Sequence, residues 1–223
     1  MTNSIHTVDR LEALPEPAPD ADFVVVDVII SSTSIVRLLE AGAEYVRPFA
    51  DADRAREFKR ETEGALLVGE DGGRPIEGFD LSPLPSRIAD ADVAGRPVGI
   101  RTSNGTRAMD RIGATDGLFV GSTVNARSVA DVLRERENEV WIVAAGRRGS
   151  PTPEDIAGAE LLAAHARDEN PEATSLRRAV RESGTAAWLR DLGYGEEVEA
   201  LCAFDSTGTV PALRDGVFVS ASR

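Results

Sequence analysis

Cysteine, lysine and histidine are almost absent from this chain of 223 residues. The single cysteine, Cys202, excludes an intrachain disulfide, and such scarcity is typical of a reducing cytoplasm. The histidines are His6, in a polar N-terminal segment, and His165, in a predicted helix, so neither zinc nor a His-assisted nucleophile is expected. Apolar runs of transmembrane length and a signal-peptide pattern are also missing, so we expect a cytoplasmic protein with no membrane partner.

Positive charge is scarce as well, and nearly all of it is arginine. The chain has 38 acidic and 25 basic residues, a net charge of −13, and its one lysine is Lys59. An acidic, lysine-poor composition is typical of proteins from extreme halophiles, where salt screens the surface. Because no basic stripe is present to neutralise phosphates, nucleic acid is not an expected partner. A small anionic substrate needs salt screening or a metal ion to approach this surface.

Strand and helix patterns alternate along most of the chain. The segment 23–29 is a continuous apolar run except for Asp27, as expected for a strand buried on both faces. Regular alternation predicts an α/β fold with three layers, α/β/α, around a largely parallel or mixed central sheet. We expect residues 1–22 to form a polar N-terminal arm and residues 23–223 to form a single domain.

Three further segments carry specific expectations. Residues 69–85 hold four glycines and three prolines, which predicts an irregular loop, and long loops inside a domain are usually functional. The pattern over 174–192 predicts one helix. The pattern over 215–221 predicts a last strand at an edge of the sheet.

Carboxylates follow several predicted strands, at the end where ligands bind in such folds. Asp27 lies within an apolar run, so its carboxylate needs a partner, which can be a metal ion, an arginine or backbone donors. The pair Glu70-Asp71, with Asp27 and Asp80, can supply the hard oxygen ligands that Mg²⁺ prefers. The sequence therefore contains the components of a magnesium site.

The segment 102–107, Thr-Ser-Asn-Gly-Thr-Arg, joins an apolar strand to a predicted helix. A helix N-terminus offers unpaired N–H groups and a partial positive charge, so such a loop can hold an anion. Gly105 lets the backbone approach closely, and Asn104 tolerates a left-handed conformation. The ordinary alternative is that Ser103 or Asn104 simply caps the helix.

Several short motifs follow one another in a fixed order between about residue 23 and residue 159. They are Asp27-Val28 followed by Ser-Ser-Thr, Gly-Glu-x-Gly-Gly at 69–73, Gly-Phe-Asp-Leu at 78–81, Ser-Asn-Gly-Thr-Arg-Ala at 103–108, Gly-Ser-x-x-Asn-Ala at 121–126, and Glu154-Asp155. Together they resemble the 2-phosphosulfolactate phosphatases, the ComB-like family. The resemblance implies an α/β/α fold, a Mg²⁺-dependent phosphomonoesterase and a place in coenzyme M biosynthesis.

A phosphatase of this kind would use the polar residues at the predicted strand ends as its site. Asp27, Glu70 and Arg107 would be catalytic: a metal-activated water or a carboxylate would attack phosphorus, and Arg107 or Arg101 would stabilise the developing charge. The Mg²⁺ ligands would be drawn from Asp27, Glu70, Asp71 and Asp155. The substrate and its phosphate would be bound by Ser32, Thr33, Arg101, Thr102, Ser103, Asn104, Gly105, Thr106, Asn125 and Arg147.

The chain departs from the family pattern at two positions that affect specificity. Ile30 and Asp71 stand where the pattern has arginines, while Arg101, Arg147 and Arg148 stand at neighbouring strand ends and can compensate. We therefore expect a Mg²⁺-dependent phosphatase for a small phosphorylated hydroxy acid, with diverged specificity. The alternative is a non-catalytic relative that binds an anionic phosphorylated or sulfonated metabolite. A homo-oligomer is compatible with either function.

Overall fold

The computed structural model describes residues 4–221, which form ten strands, nine α-helices and a short 3₁₀ turn at Leu11–Ala13. The strands β1 to β10 are Ile5–Val8, Asp22–Val26, Tyr45–Pro48, Leu66–Asp71, Arg74–Pro75, Pro97–Arg101, Leu118–Gly121, Val140–Ala144, Pro211–Arg214 and Val217–Ser220. The helices α1 to α9 are Ser31–Glu40, Ala52–Glu61, Pro85–Ala89, Gly105–Ile112, Ala126–Arg134, Pro153–Ala166, Ala173–Arg181, Gly184–Asp191 and Gly195–Leu201.

All ten strands belong to one sheet, in the order β1-β8-β2-β7-β9-β10-β3-β6-β4-β5. Strands β1, β8, β2 and β7 are parallel neighbours, and β3, β6 and β4 form a second parallel group. The hairpin β9–β10 joins the groups and is antiparallel to both, through the pairs Phe119 with Ala212 and Phe218 with Val46. The predicted α/β class with a mostly parallel, mixed sheet is confirmed.

Helices cover both faces of the sheet. Along β2, successive side chains point to opposite faces, so Val24 and Val26 enter one core while Phe23 and Val25 enter the other. The first core is completed by helices α5 to α9 and the second by α1 and α4. The predicted three layers are therefore present, and none of the helices within residues 4–221 is long and apolar enough to cross a membrane.

The strand predicted over 215–221 is present, but its predicted place at an edge of the sheet was wrong. The strand Val217–Ser220 pairs with β9 on one side and β3 on the other, inside the sheet. Asp215 and Gly216 both have positive φ, 50° and 80°, and form the tight turn of the β9–β10 hairpin. This Asp-Gly pair is a hairpin signal that would have revealed β9, one of the strands missing from the sequence-based prediction.

Two other boundaries differ from prediction. The predicted helix over 174–192 is two helices, because the Ser183 hydroxyl accepts a hydrogen bond from the N–H of Ala186 at 3.1 Å and caps α8. Strand β2 ends at Val26, so Asp27 follows the strand rather than lying within it. The strand end is where a carboxylate reaches the ligand-binding edge of the sheet.

The N-terminal segment 1–22 contributes to the sheet, as far as the structure describes it. Residues Ile5–Val8 form β1, which pairs in parallel with β8 at one edge. Leu11 and Leu14 are buried and belong to the core under α4. The sequence did not predict this strand because its four residues include the polar pair His6 and Thr7.

Candidate active site

Polar residues that follow separate strands converge on one cleft. The cleft lies at the carboxyl ends of β2, β4 and β8, beside the N-terminal parts of α4, α6 and α8. Its walls carry four carboxylates and two arginines, together with hydroxyl, amide and apolar side chains. Carboxyl ends of parallel strands are the usual position for a ligand in this class of fold.

Asp27 joins the end of β2 to the start of α4. Its carboxylate is buried, and Oδ2 accepts a hydrogen bond from the N–H of Gly105 at 2.9 Å. Its own N–H donates to the Ser32 hydroxyl at 2.8 Å. A Cβ at Gly105 would lie 2.4 Å from the Ser31 hydroxyl and 2.9 Å from Asp27 Oδ2. Only glycine at position 105 therefore allows the end of β2 and the loop after β6 to approach this closely.

Glu70, in β4, holds two loops in place. Its Oε1 accepts the N–H of Ser103 at 2.7 Å, while Oε2 accepts the N–H of Gly73 at 2.6 Å and the Ser103 hydroxyl at 3.1 Å. The Ser103 hydroxyl also accepts the N–H of Gly72 at 2.8 Å. The loop after β4 and the loop before α4 thus form one hydrogen-bonded unit around a buried carboxylate.

Asp155 and Glu154 come from the first turn of α6 and are both buried. Asp155 accepts the N–H of Val28 at 2.8 Å and the N–H of Gly146 at 3.1 Å, which ties α6 to the ends of β2 and β8. Glu154 Oε2 is buried without a hydrogen-bond partner. A buried carboxylate oxygen without a partner is costly, so a cation or a hydrogen-bond donor at this atom would stabilise it.

Two of the four carboxylates, Asp27 and Asp155, have raised pKa values. Burial, and then the charges of Asp155 and Glu70, raise the pKa of Asp27 well above its usual range. Burial, and then the charge of Glu154, raise the pKa of Asp155 to about 7. Like charges in a desolvated site disfavour ionisation, and a bound cation reverses this effect.

Arg147 and Arg148 supply the positive charge of the cleft. Both follow β8 and line the cleft together with the carboxylates. Neither forms an ion pair with another residue of the described range 4–221. The Arg148 guanidinium extends toward the β4 loop, since a Cβ at Gly72 would lie 3.8 Å from its Nη2. The two arginines are therefore free to bind an anion that enters.

Six of the predicted site residues line this cleft: Asp27, Glu70, Ser103, Asn104, Arg147 and Asp155. The set chosen from the sequence lacked Glu154 and Trp188, which also line it. Glu154 had a signal, because it directly precedes Asp155 in a family motif. Trp188 had none, because α8 lies far along the chain and reaches the cleft only through tertiary packing.

Arg107 and Asp71 do not line the cleft. Arg107 is exposed in the first turn of α4. The Asp71 side chain is 74% exposed and pairs with Arg101 Nη1 at 3.0 Å. The same Arg101 nitrogen donates to the carbonyl of Glu70 at 2.8 Å, so Arg101 supports β4 from outside the cleft.

Five predicted substrate-binding residues are buried and hydrogen-bonded within the protein. Their side chains bond to backbone groups close by in the chain, which is what hydroxyl and amide groups commonly do at helix starts. The bonds are Ser32 Oγ to the Val25 carbonyl, Thr33 Oγ1 to the Val28 carbonyl, Thr102 Oγ1 from the Thr106 N–H, Thr106 Oγ1 to the Thr102 carbonyl, and Asn125 Oδ1 from the Ser122 N–H. These side chains therefore hold the strand-to-helix connections together, and they are not helix caps, because the N-cap residues Ile30, Asn104 and Asn125 make no side-chain capping bond.

In the predicted phosphate-binding loop at 102–106, two N–H groups already bind carboxylates of the protein. The N–H groups of Ser103 and Gly105 donate to the carboxylates of Glu70 and Asp27, at 2.7 and 2.9 Å. The N–H of Gly105, at the start of α4, therefore binds a carboxylate of the protein itself. Of this loop, Ser103 and Asn104 face the cleft.

The model of the 2-phosphosulpholactate phosphatase family matches residues 6–216. The chain belongs to this family. Proteins named "Probable 2-phosphosulfolactate phosphatase" are similar to it: one from Thermoplasma acidophilum is 34% identical over 89% of this chain and 88% of its own length. One from Synechococcus sp. CC9605 is 35% identical over 91% and 93%, respectively. One from Prochlorococcus marinus MIT 9303 is 37% identical over 67% of this chain, and that match spans 63% of the relative.

These names indicate a phosphatase, that is, a phosphoric monoester hydrolase. The two arginines and the four carboxylates of the cleft are the charged groups available for such chemistry in the part of the chain that the structure describes.

A Mg²⁺ ion bound by these carboxylates would have few protein ligands. Within residues 4–221, no group of three or more Asp, Glu, His or Cys side chains could hold a metal ion, so the predicted four ligands do not form one cluster. Both oxygens of Glu70 and of Asp155 accept N–H donors, whereas Glu154 Oε2 has no partner. Mg²⁺ is commonly held by one or two carboxylates, with substrate phosphate and water completing its shell.

Proposed function

We propose that this protein is a Mg²⁺-dependent phosphatase that acts on a small phosphorylated hydroxy acid. The observation that carries the proposal is the cleft itself, in which four buried carboxylates face two unpaired arginines. A site with both charges can bind a metal ion and a phosphoryl group together. Membership of the phosphatase family supports the same reaction class.

Asp27 and Glu154 are the proposed Mg²⁺ ligands. Both are buried in the cleft, Asp27 accepts one N–H at its Oδ2, and Glu154 has an oxygen without a partner. Mg²⁺ bound there would stabilise negative charge on the phosphoryl oxygens and acidify a bound water. Glu70 and Asp155 serve as positioning residues, since their oxygens hold the loops that form the walls.

Arg147 and Arg148 are proposed to bind the phosphoryl group. Guanidinium groups form strong, often bidentate, hydrogen bonds to phosphate oxygens, and these two have no competing ion pair within residues 4–221. They take the role of stabilising developing charge that the sequence predicted for Arg107 or Arg101. Ser103 and Asn104 complete the polar wall on the opposite loop.

The substrate is proposed to carry fewer negative charges than 2-phosphosulfolactate, the compound in the relatives' names. Ile30 lines the cleft where the family pattern has an arginine, so one cation for a second anionic group is missing. Conversion of phosphosulfolactate to sulfolactate, the step of coenzyme M biosynthesis, is therefore expected to be slower than hydrolysis of a simple phospho-hydroxy acid.

Phosphate release from 2-phospholactate, phosphoglycolate and phosphosulfolactate tests this function, with Mg²⁺ or with a chelator. Molar KCl belongs in every assay, because an acidic chain with a net charge of −13 needs screening. We expect Mg²⁺-dependent release, fastest with the two simpler substrates. Release that a chelator does not change would contradict the metal, and no release from any of the three would favour a binding protein.

Asp27→Asn sharpens the same test. Mg²⁺ at about 100 times its Kd should stabilise the wild type by about 2.7 kcal/mol and leave the variant unchanged. Asp53→Asn, at an exposed position in α2, is the matched control and should respond like the wild type. An equal rise of the thermal midpoint in Asp27→Asn would rule out Asp27 as a ligand.

A further inference from the structure

A second cavity adjoins the cleft and has a different chemical character. It measures about 300 Å³, and Ile30, Glu70, Gly73 and Trp188 line both spaces. We call it the side cavity and define it by Ile30, Pro83, Leu84, Trp188, Leu189 and Tyr194. A group attached to a molecule in the cleft can therefore extend past Ile30 and Trp188 into this second space.

The walls of the side cavity are mostly apolar. Among the residues that the structure describes, Arg74 is its one cation, and it is exposed. Glu70 reaches the cavity, but both of its oxygens are hydrogen-bonded to the loops. The cavity is roughly twice the ~150 Å³ that accepts benzene in an engineered protein core. Its size and walls thus suit an aliphatic or aromatic group.

Leu192 gives a separate indication at the rim. It is 52% exposed, and it is the one large apolar side chain exposed within residues 4–221. It lines the side cavity just after α8, the helix that also supplies Trp188. Leu192 therefore adds apolar surface at the mouth of the side cavity.

The wall between the two spaces is fixed by an unusual backbone. Ile30 has φ 130° and ψ −83°, a conformation that a β-branched residue adopts only under constraint. The Ser34 N–H donates to the Ile30 carbonyl at 3.0 Å, and the Ser34 hydroxyl donates to the Pro83 carbonyl at 2.8 Å. The surrounding hydrogen bonds therefore hold an apolar side chain between cleft and cavity.

Trp188 lies opposite Ile30, across the passage between the cleft and the side cavity. Gly73 has φ 83°, and a Cβ there would lie 2.5 Å from Trp188 Cζ2, so the indole ring rests against bare backbone. Ile30 and Trp188 together present apolar surface on both sides of the passage. Neither side chain is charged, so an apolar group can pass between them without removing water from a charged group.

We propose that the side cavity is a substrate subsite that takes an aliphatic or aromatic group. Resting on the proposed phosphatase function, this assigns the substrate class as phosphomonoesters whose alcohol part carries such a group beside the phosphate. The phosphoryl end lies among the arginines and carboxylates of the cleft, and the apolar group lies between Trp188, Leu189 and Tyr194.

Calorimetric binding of methylphosphonate and benzylphosphonate, with Mg²⁺ and molar KCl, tests the subsite without any turnover. Burial of each methylene-sized group strengthens binding about fourfold, so benzylphosphonate should bind about tenfold or more tightly than methylphosphonate. Equal affinities would overturn the proposal, and so would a failure of both phosphonates to bind.

Two variants locate the preference. Ser82→Trp fills the side cavity from its wall, and Leu192→Gln makes its rim polar. Both should reduce the advantage of benzylphosphonate, Ser82→Trp to about twofold or less, while Ser175→Trp, an exposed position on α7, should retain it. An unchanged advantage in both cavity variants would place the benzyl group elsewhere and overturn the proposal.

Phosphate release, measured separately, keeps the two proposals distinguishable. If the phosphatase function fails but the subsite is real, phosphate release is absent while the benzylphosphonate preference persists. If the subsite fails but the function holds, phosphate is released and the two phosphonates bind equally.

Discussion

The loops 102–106 and 146–149 both follow strands and both carry groups that bind anions, yet they differ in what those groups already hold. In the first, the N–H groups of Ser103 and Gly105 are bonded to the protein's own carboxylates. In the second, Arg147 and Arg148 face the cleft with no ion pair inside the described range. The first loop is therefore scaffold, and the second is available to a ligand.

This difference shows that the residue types of an anion-binding motif do not decide whose anion is bound. A helix start and a buried carboxylate satisfy each other wherever the fold brings them together, because both are costly when buried alone. Two side chains of like charge cannot satisfy each other, so adjacent arginines keep their capacity for an external anion.

The largest expected effect is that of Gly105→Ala, which disrupts the loop 102–106. The added Cβ would lie 2.4 Å from the Ser31 side chain, so the strand ends must move apart. We expect a loss of about 1–3 kcal/mol in the free energy of unfolding and about 100-fold in kcat/KM. Denaturant titration and phosphate release measure the two losses.

Gly208→Ala is the control for that change. A Cβ at Gly208 meets nothing within 4 Å, so the variant should match the wild type in both measurements. A Gly105→Ala protein of wild-type stability would show that the close contact between the two strand ends does not hold the loop.

Breaking the second loop should affect activity and leave stability alone. Arg147→Ala and Arg148→Ala each remove charged hydrogen bonds of about 1.5–3 kcal/mol, which is about 10–100-fold in kcat/KM. Since neither side chain forms an ion pair within residues 4–221, the thermal midpoint should be unchanged. Arg54→Ala, exposed on α2, removes the same charge as a control. Full activity in both variants would indicate that the loop 102–106, rather than Arg147 and Arg148, binds the phosphate.

The smallest expected effect is that of changing Arg107 or Asp71, and it tests whether these residues belong to the cleft. Arg107→Ala and Asp71→Asn change exposed residues that do not line the cleft. Surface changes of this kind are usually within about 0.5 kcal/mol, so kcat/KM should stay within about threefold of the wild type. Steady-state kinetics on 2-phospholactate suffices. A large loss in Arg107→Ala would mean that α4 presents this arginine to the substrate after all.

The sequence predicted the layers and most strand ends, because apolar runs and helical spacing are local patterns. It also selected Asp27 and Glu70, since a carboxylate beside a buried strand is conspicuous without any structure, and Asp155 through the Glu154-Asp155 motif. It chose Arg107 and Asp71 wrongly as residues of the cleft, because it does not show which way a side chain points at the end of an element. The roles of the chosen residues in catalysis stay predictions.

The sequence by itself determined an α/β protein of this family, with carboxylates, arginines and a glycine-containing helix start at its strand ends. Only the tertiary structure decided that Asp27 fills that helix start, that Glu154 is left without a partner, and that Trp188 joins the cleft from α8. The physical reason is that element type follows from local periodicity. Pairing of buried polar groups depends on distances between segments that are far apart in the chain.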